Sequence, residues 1–252
     1  MPKNTALTML ISGGAELGFD IAGAADVVGN TVVLTAGHDV FFGSTGFEQS
    51  PASGGPANIS VADSTITSYV NAQASGDIDV SASVGQLMQF ASDVSLSSSG
   101  GDIMVRAAGD AALLDIDGDL SISADRFGDS TGESVTGGQV NLLAQGGGQL
   151  VVDGDAIISA NGHGGDSFVA GTSAGNGTGG EIWIQADAGS VLGIGGLLAA
   201  AAEGYGGHPG TAGVDSGDGL GGSIHILTTG NDAALAVSGT SFVTVSGYGG
   251  HG

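Results

Sequence analysis

The sequence predicts an all-β protein folded as a right-handed parallel β-helix (a β-solenoid) with three short strands per coil and Gly-rich loops protruding along one edge. The main observation is a repeat in which Gly-Gly pairs followed by alternating apolar residues begin at Gly137, Gly179 and Gly221, 42 residues apart. An earlier copy begins at Gly100. Glycine supplies 51 of the 252 residues and recurs where the chain must turn. The alternation of apolar residues is typical of strands, and a hydrophobic content of 41% argues against disorder. Glycine does not recur at every third position, which excludes collagen.

Each repeat contains three strands whose apolar residues recur at constant offsets. The first strand supplies the column Ile78, Ile103, Val140, Ile182 and Ile224. The second supplies Met88, Leu114, Leu150, Leu192 and Leu235, and the third supplies Val94, Leu120, Ala156 and Leu198. These columns predict coils that stack their inward residues about 4.8 Å apart. An antiparallel sandwich is the alternative, but it gives no reason for the same columns to return every 42 residues.

Glycines and insertions divide each coil. Corner glycines recur at Gly118, Gly154, Gly196 and Gly239. The Gly-rich insertions Asp125–Thr136, Asn161–Thr178 and Glu203–Leu220 all leave from the corner after the third strand, so we expect a ridge of loops along one edge. We interpret residues 1–252 as a single solenoid domain, with irregular coils in 1–75 and regular coils spaced by 37–43 residues in 76–252. The chain is predicted to be a fragment of a longer repeat protein.

The charge balance limits the partners. Three basic residues face 26 acidic ones, which gives a formal net charge of −23. Such a surface repels phosphate backbones and anionic bilayers, so we expect neither nucleic-acid binding nor membrane insertion. There is no Cys, which removes disulfides, thiolate metal sites and Cys nucleophiles. The start of the chain has too short an apolar run for an export signal, so a signal for export is expected to lie outside it.

The segment GNTVVLTAGHDV (Gly29–Val40) and the Gly-Gly units from Gly100 onward resemble the repeat regions of filamentous-haemagglutinin-like exoproteins, which are large adhesins exported by two-partner secretion. The resemblance implies a right-handed β-helix, export across a Gram-negative outer membrane, and display outside the cell or at its surface. Autotransporter passengers contain similar Gly-rich coils. The family offers no catalytic residues to carry over.

An aromatic column is the first candidate site. Phe127, His163, Tyr205 and Tyr248 each follow the third strand at the same offset, which predicts that their rings form one strip at the base of the loops. Such a strip could contact a ligand by stacking on sugar rings. The alternative is that the rings close the loop corner against solvent.

Metal and enzyme sites have weaker signals. Asp166, His208 and His251 form a second column of metal-ligating residue types, but only two are His and their neighbours are glycines. Residues 161–169 and the Asp-rich run 115–119 are near misses to calcium-binding loops, so the sequence predicts no cofactor, with weak Ca²⁺ binding as the alternative. No nucleophile elbow, P-loop or HExxH motif occurs, so we expect a protein that is not an enzyme.

Three functional hypotheses follow. The first is a non-catalytic structural or adhesive solenoid of a secreted or cell-surface bacterial protein, with a glycan or protein receptor. The second is a self-assembling extracellular filament subunit that stacks head to tail through open coil ends. The third is a β-helix that binds or degrades a polysaccharide.

Overall fold

Stacked parallel strands form the whole described fold. A computed structural model describes residues 76–210 and 214–251, together with the backbone of six short strands before residue 76. Its 28 strands, β1–β28 in chain order, form five parallel sheets. The described residues contain no helix, and therefore none that is long and apolar enough to cross a membrane.

Three long sheets form the solenoid wall, and the chain passes through them in the same order in each regular coil. Sheet 1 contains β2 (Val40–Phe41), β4 (Ala57–Ser60), β7 (Ile78–Ala82), β10 (Ile103–Ala108), β15 (Gln139–Gln145), β20 (Glu181–Ala186) and β25 (Ser223–Thr228). Sheet 2 contains β5 (Ser64–Ile66), β8 (Leu87–Phe90), β11 (Leu113–Ile116), β16 (Gln149–Val152), β21 (Val191–Ile194) and β26 (Ala234–Val237). Sheet 3 contains β1 (Thr31–Val33), β3 (Gly46–Gln49), β6 (Val70–Ala74), β9 (Val94–Ser98), β12 (Leu120–Ser123), β17 (Ala156–Ser159), β22 (Leu198–Ala201) and β27 (Ser241–Thr244).

Two short sheets leave the solenoid at the corner between sheets 3 and 1. Sheet 4 contains β13 (Arg126–Phe127), β18 (Gly162–His163), β23 (Gly204–Tyr205) and β28 (Gly247–Tyr248). Sheet 5 contains β14 (Val135–Thr136), β19 (Gly177–Thr178) and β24 (Gly219–Leu220). We call sheets 4 and 5 and their connecting turns the fin.

The residues predicted to form each column are paired with one another in the observed strand register. Ile182 pairs with Val140 on one side and Ile224 on the other, and Leu192 pairs with Leu150 in the same way. The prediction of a parallel β-solenoid is therefore confirmed. Because the side chains of a strand alternate between faces, each wall strand sends every second residue inward. Those residues form one continuous apolar core along the axis, in which Ile182 has no exposed surface.

Polar side chains at the corners connect consecutive coils. Asp93 Oδ1 accepts the backbone N–H of Asp119 at 2.9 Å, and Asp119 Oδ1 accepts that of Asp155 at 2.8 Å. Asp155 Oδ1 then accepts the N–H of Leu197 at 2.7 Å. Each carboxylate thus satisfies a backbone donor of the next coil, at a bend where the strand ladder is interrupted. We call this series the corner ladder.

The sequence predicted that the insertions are loops, but in the structure they form the strands of sheets 4 and 5. Within one insertion the segment after β18 and the segment before β19 lie backbone against backbone, since Gly175 N–H donates to Gly165 O at 2.8 Å. A Cβ on Gly164 would collide with the carbonyl oxygen of Gly175, and a Cβ on Gly175 would collide with that of Glu133. Glycine is therefore needed here for close approach of two backbones, and the insertions form an ordered edge.

Candidate functional site

The aromatic column at the base of the fin forms as predicted. Phe127 and His163 stack with ring centroids 4.4 Å apart, and His163 and Tyr205 stack at 4.6 Å. Tyr205 and Tyr248 follow at 5.0 Å, with an angle of 13° between their planes. The parallel register of sheet 4 imposes these distances, because it places the four residues at equivalent positions in consecutive coils.

The stacking determines which ring surfaces a ligand could reach. Neighbouring rings cover the faces of His163 and Tyr205, so these two residues present only their edges outward. Phe127 and Tyr248, at the two ends, remain 69% and 48% exposed. Sugar rings stack on aromatic faces, so the predicted ligand contact is confined by geometry to Phe127 and Tyr248. Contact between this column and a ligand stays a prediction.

A polar column runs beside the rings, two residues earlier in each coil. Asp125 Oδ1 accepts the N–H of Asn161 at 2.7 Å, and Asn161 Oδ1 accepts the N–H of Glu203 at 2.8 Å. The Tyr205 hydroxyl donates to the Glu203 carboxylate. The hydrogen bond to Glu203, followed by burial, raises the pKa of Tyr205 to about 12. Tyr205 is therefore a fixed donor at neutral pH.

His163 is the titratable centre of the column. Burial between two rings lowers the pKa of its imidazole, because the charged form loses hydration there. The nearby carboxylates of Asp125 and Glu203 oppose that shift without reversing it. At neutral pH the ring is therefore uncharged, and it acts in the column as an aromatic ring.

The second predicted column, Asp166, His208 and His251, also aligns, but its polar atoms meet backbone groups. Asp166 Oδ1 accepts the N–H of His208 at 2.8 Å. His208 Nδ1 lies 3.0 Å from the backbone N and 3.2 Å from the backbone O of His251. The residues therefore continue the pattern of side chain to next-coil backbone seen in the corner ladder.

Metal ligation gains no support from this arrangement. In the part of the chain that the structure describes, there is no group of three or more His, Cys, Asp or Glu side chains placed to hold a metal ion. The Asp-rich run 115–119 likewise contributes Asp119 to the corner ladder. Weak Ca²⁺ binding to the acidic surface stays a prediction.

The sequence did not reveal the corner ladder, the polar column beside the rings, or the close backbone packing of glycines in the fin. The ladder had a readable signal, since Asp93, Asp119 and Asp155 recur at one offset, directly after the corner residues Ser92, Gly118 and Gly154. Asp, Asn and Ser all serve as acceptors in such positions, so the pattern is hidden when only identical residues are aligned.

Comparison of the chain with family models, with curated proteins and with solved structures finds no match. The resemblance to filamentous-haemagglutinin-like repeats therefore rests only on the residues quoted for it.

Proposed function

We propose that this chain is a non-catalytic structural segment of a secreted or cell-surface bacterial protein, in which the solenoid is a stiff spacer and the fin is a contact edge. The observation that supports the spacer role is the combination of one continuous apolar core with hydrogen-bonded ladders that join each coil to the next. A coil held to both neighbours in this way resists bending between coils.

The fin supports the adhesive part of the proposal. It projects a regular edge from the solenoid and holds that edge in place by backbone packing, so contact groups there lose little conformational entropy on binding. The exposed ring of Phe127 lies at one end of the aromatic column, and Phe168, 67% exposed, lies in the insertion Asn161–Thr178. Aromatic residues on a rigid support are typical anchors of recognition surfaces. A glycan or protein receptor is the partner we propose.

Bead adhesion tests this function. Beads coated with the intact chain, with Phe127→Ser plus Phe168→Ser, or with the exposed-residue control Val84→Ser would be passed over cultured epithelial cells and over a glycan array. We expect retention by the intact chain and the control, and loss of retention by the double variant. Equal retention of all three would reject the fin as the contact edge. New reducing ends in polysaccharides incubated with the chain would reject the non-catalytic assignment.

A second candidate is the filament subunit that stacks head to tail. It is supported by the coil containing β25 to β27, where inward residues such as Ile226 and Val243 remain 40% and 46% exposed. Apolar side chains on the last described strand of each sheet favour pairing with another coil. Sedimentation of the intact chain and of Val243→Lys tests it. The intact chain should associate as its concentration rises, and Val243→Lys should not, because a charge at this position would block end-to-end growth.

A further inference from the structure

A groove runs along the solenoid axis at the foot of the fin, between sheet 5 and the outer face of sheet 1. It consists of two adjoining hollows, of about 570 Å³ and about 360 Å³, that share Asp102 and Gln139. Five consecutive coils line it with residues at equivalent positions beside the first strand of each coil: Asp77, Asp102, Gln139, Glu181 and Ser223. Each coil therefore presents one polar side chain to this sheet 1 groove, at intervals of about 4.8 Å.

Hydrogen bonds between coils hold the lining side chains in place. Asp77 Oδ1 accepts the N–H of Asp102 at 2.8 Å, and Asp102 Oδ1 accepts the N–H of Gln139 at 2.8 Å. Gln139 Nε2 donates to Glu181 Oε2 at 3.2 Å, and His225 Nε2 lies 3.4 Å from Glu181 Oε1. Because the lining is ordered in the unbound protein, a ligand would cost it little side-chain entropy.

Arg126 supplies hydrogen-bond donors to a groove that is otherwise rich in acceptors. Its Nη2 lies 3.3 Å from Asp102 Oδ1 and 3.5 Å from Gly101 O, and its Nη1 has no partner among the described residues. A guanidinium has five N–H donors, so Arg126 keeps donors for a ligand. Asp102 Oδ2 likewise has no partner in the described part of the chain. The groove thus offers a donor and an acceptor side by side.

We propose that the sheet 1 groove binds an extended, uncharged glycan, a β-1,4-linked hexose chain that lies along the solenoid axis with about one sugar to each coil. The site includes neither the aromatic column nor Phe168, and the inference does not rest on the adhesive function proposed above.

The repeat and the charge of the lining select this ligand. A sugar unit in an extended β-1,4-linked chain is about as long as the ~4.8 Å spacing between coils, so successive units meet equivalent positions. An extended peptide advances only about 3.3 Å per residue and would not stay in register with the coils. Sugar hydroxyls both donate and accept, which suits a lining of carboxylates, an amide and a guanidinium. Uronate and phosphate chains are repelled by Asp77, Asp102 and Glu181.

The length of the groove sets how affinity depends on the length of the glycan. Five coils span four intervals of about 4.8 Å, or roughly 19 Å. The affinity should therefore increase from the disaccharide to about the pentasaccharide and change little beyond it.

Isothermal titration calorimetry of the intact chain tests the proposal, with β-1,4-linked gluco- and manno-oligosaccharides of two to six units as the probes. We expect saturable binding of at least one of the two series, with the dependence on length given above. Galacturonate oligomers of the same lengths, the acidic counterparts, should bind at least about tenfold more weakly because the lining repels them.

Substitutions locate the binding, with the fold of each variant checked by circular dichroism. Asp102→Ala and Arg126→Ala should each raise the dissociation constant at least about tenfold, the usual effect of losing one hydrogen bond to a charged group. Arg126→Ala leaves the hydrogen bonds between the lining side chains intact, so its effect reports on the ligand. Asp153→Ala, a control at the corner between sheets 2 and 3, should bind normally. Phe127→Ser plus Phe168→Ser should also bind, which separates this site from the fin.

Failure of the two sites can be told apart. Beads with the double Phe variant should be retained only on array spots that carry β-1,4-linked hexose chains, whatever the receptor of the fin. Absence of saturable binding of both neutral series would overturn the proposal. Normal binding by Asp102→Ala and Arg126→Ala would overturn it as well, because the ligand would then lie elsewhere. Binding of glucosamine oligomers alone would also overturn it, since the groove would then select positive charge and not hydroxyl groups.

Discussion

Asp119 illustrates how the acidic residues serve this fold. Its side chain accepts the N–H of Asp155 from the next coil, and its own N–H donates to Asp93 in the coil before. Asp119→Ala should lower the free energy of unfolding by about 1.5 kcal/mol, the lower end of the net value of a hydrogen bond to a charged group, because this bond is exposed to solvent. Asp119→Asn retains an acceptor oxygen and should lose much less. Urea unfolding of both variants gives the comparison, and equal losses would mean that charge, and not the ladder, sets the effect.

His163 gives the aromatic column a pH dependence. The pKa of His163 is lowered in the folded protein, so as the pH falls below about 6.5 the unfolded chain takes up a proton that the folded chain resists. Stability is therefore full above that pH and is lost as the pH decreases.

In His163→Phe the ring stack remains but the proton site is gone. As the pH falls from 7.5 to 5.5, the melting temperature of the unaltered chain should decrease more than that of this variant. Near-ultraviolet circular dichroism of the stacked tyrosines measures both melting temperatures. Parallel curves for the two proteins over that interval would refute a role for His163.

At this scale the sequence predicted the columns but not the contacts between them. Ile182 and its partners could be placed because burial demands the same apolar type in every coil. The alignment of Phe127 with His163 and Tyr205 also followed from constant offsets. The covering of ring faces and the ladder acceptors could not be predicted, because side-chain torsions decide them and several residue types satisfy one acceptor position.

We expect the core to fold without the fin. The coil that begins at β7 passes from β9 to β10 with hardly any insertion, yet its residues are as buried as those of later coils. Deletion of residues 165–176 should therefore leave the far-ultraviolet circular dichroism and the main melting transition nearly unchanged, since a shorter loop changes closure entropy little. The neighbouring fin strands should lose protection from hydrogen exchange, because Gly207 N–H donates to Gly175 O at 2.9 Å.

Gly164→Ala is the matched substitution for that deletion. Its added methyl group would meet the Gly175 carbonyl, so it should loosen the fin without removing any residue. Loss of the main melting transition in either variant would show that the fin is part of the core.

The strands of the fin were missed for a physical reason. Strands are recognised in a sequence by alternating apolar residues, which reflect one buried and one exposed face. In the fin the buried face is another backbone, so the inward residue is Gly162 or Gly177 and the pattern resembles that of a loop. The wall strands were predictable because their inward faces meet side chains.

For the whole molecule, charge is the main variable that solution conditions can change. At neutral pH the net charge of −23 opposes compact packing, and it does so more strongly in low salt, where the Debye length grows. The melting temperature should therefore rise with sodium chloride, and added calcium should raise it further by bridging carboxylates. Magnesium is the control: a calcium response that magnesium fails to reproduce would indicate specific sites. A melting temperature indifferent to both salt and calcium would contradict the expectation.

The register of the stacked coils is tested most directly by cross-linking, which the absence of Cys makes free of background. Ser121 and Ile157 are paired neighbours on the outer face of sheet 3, and Ser159 lies two residues further along the second strand. Adjacent strands are about 4.8 Å apart, within the Cα separation that a disulfide spans, whereas the offset pair is more than about 7 Å apart. Ser121→Cys with Ile157→Cys should oxidise readily in the folded protein, and Ser121→Cys with Ser159→Cys should stay reduced. Equal oxidation of the two pairs, or oxidation of the offset pair alone, would contradict the stacked parallel register.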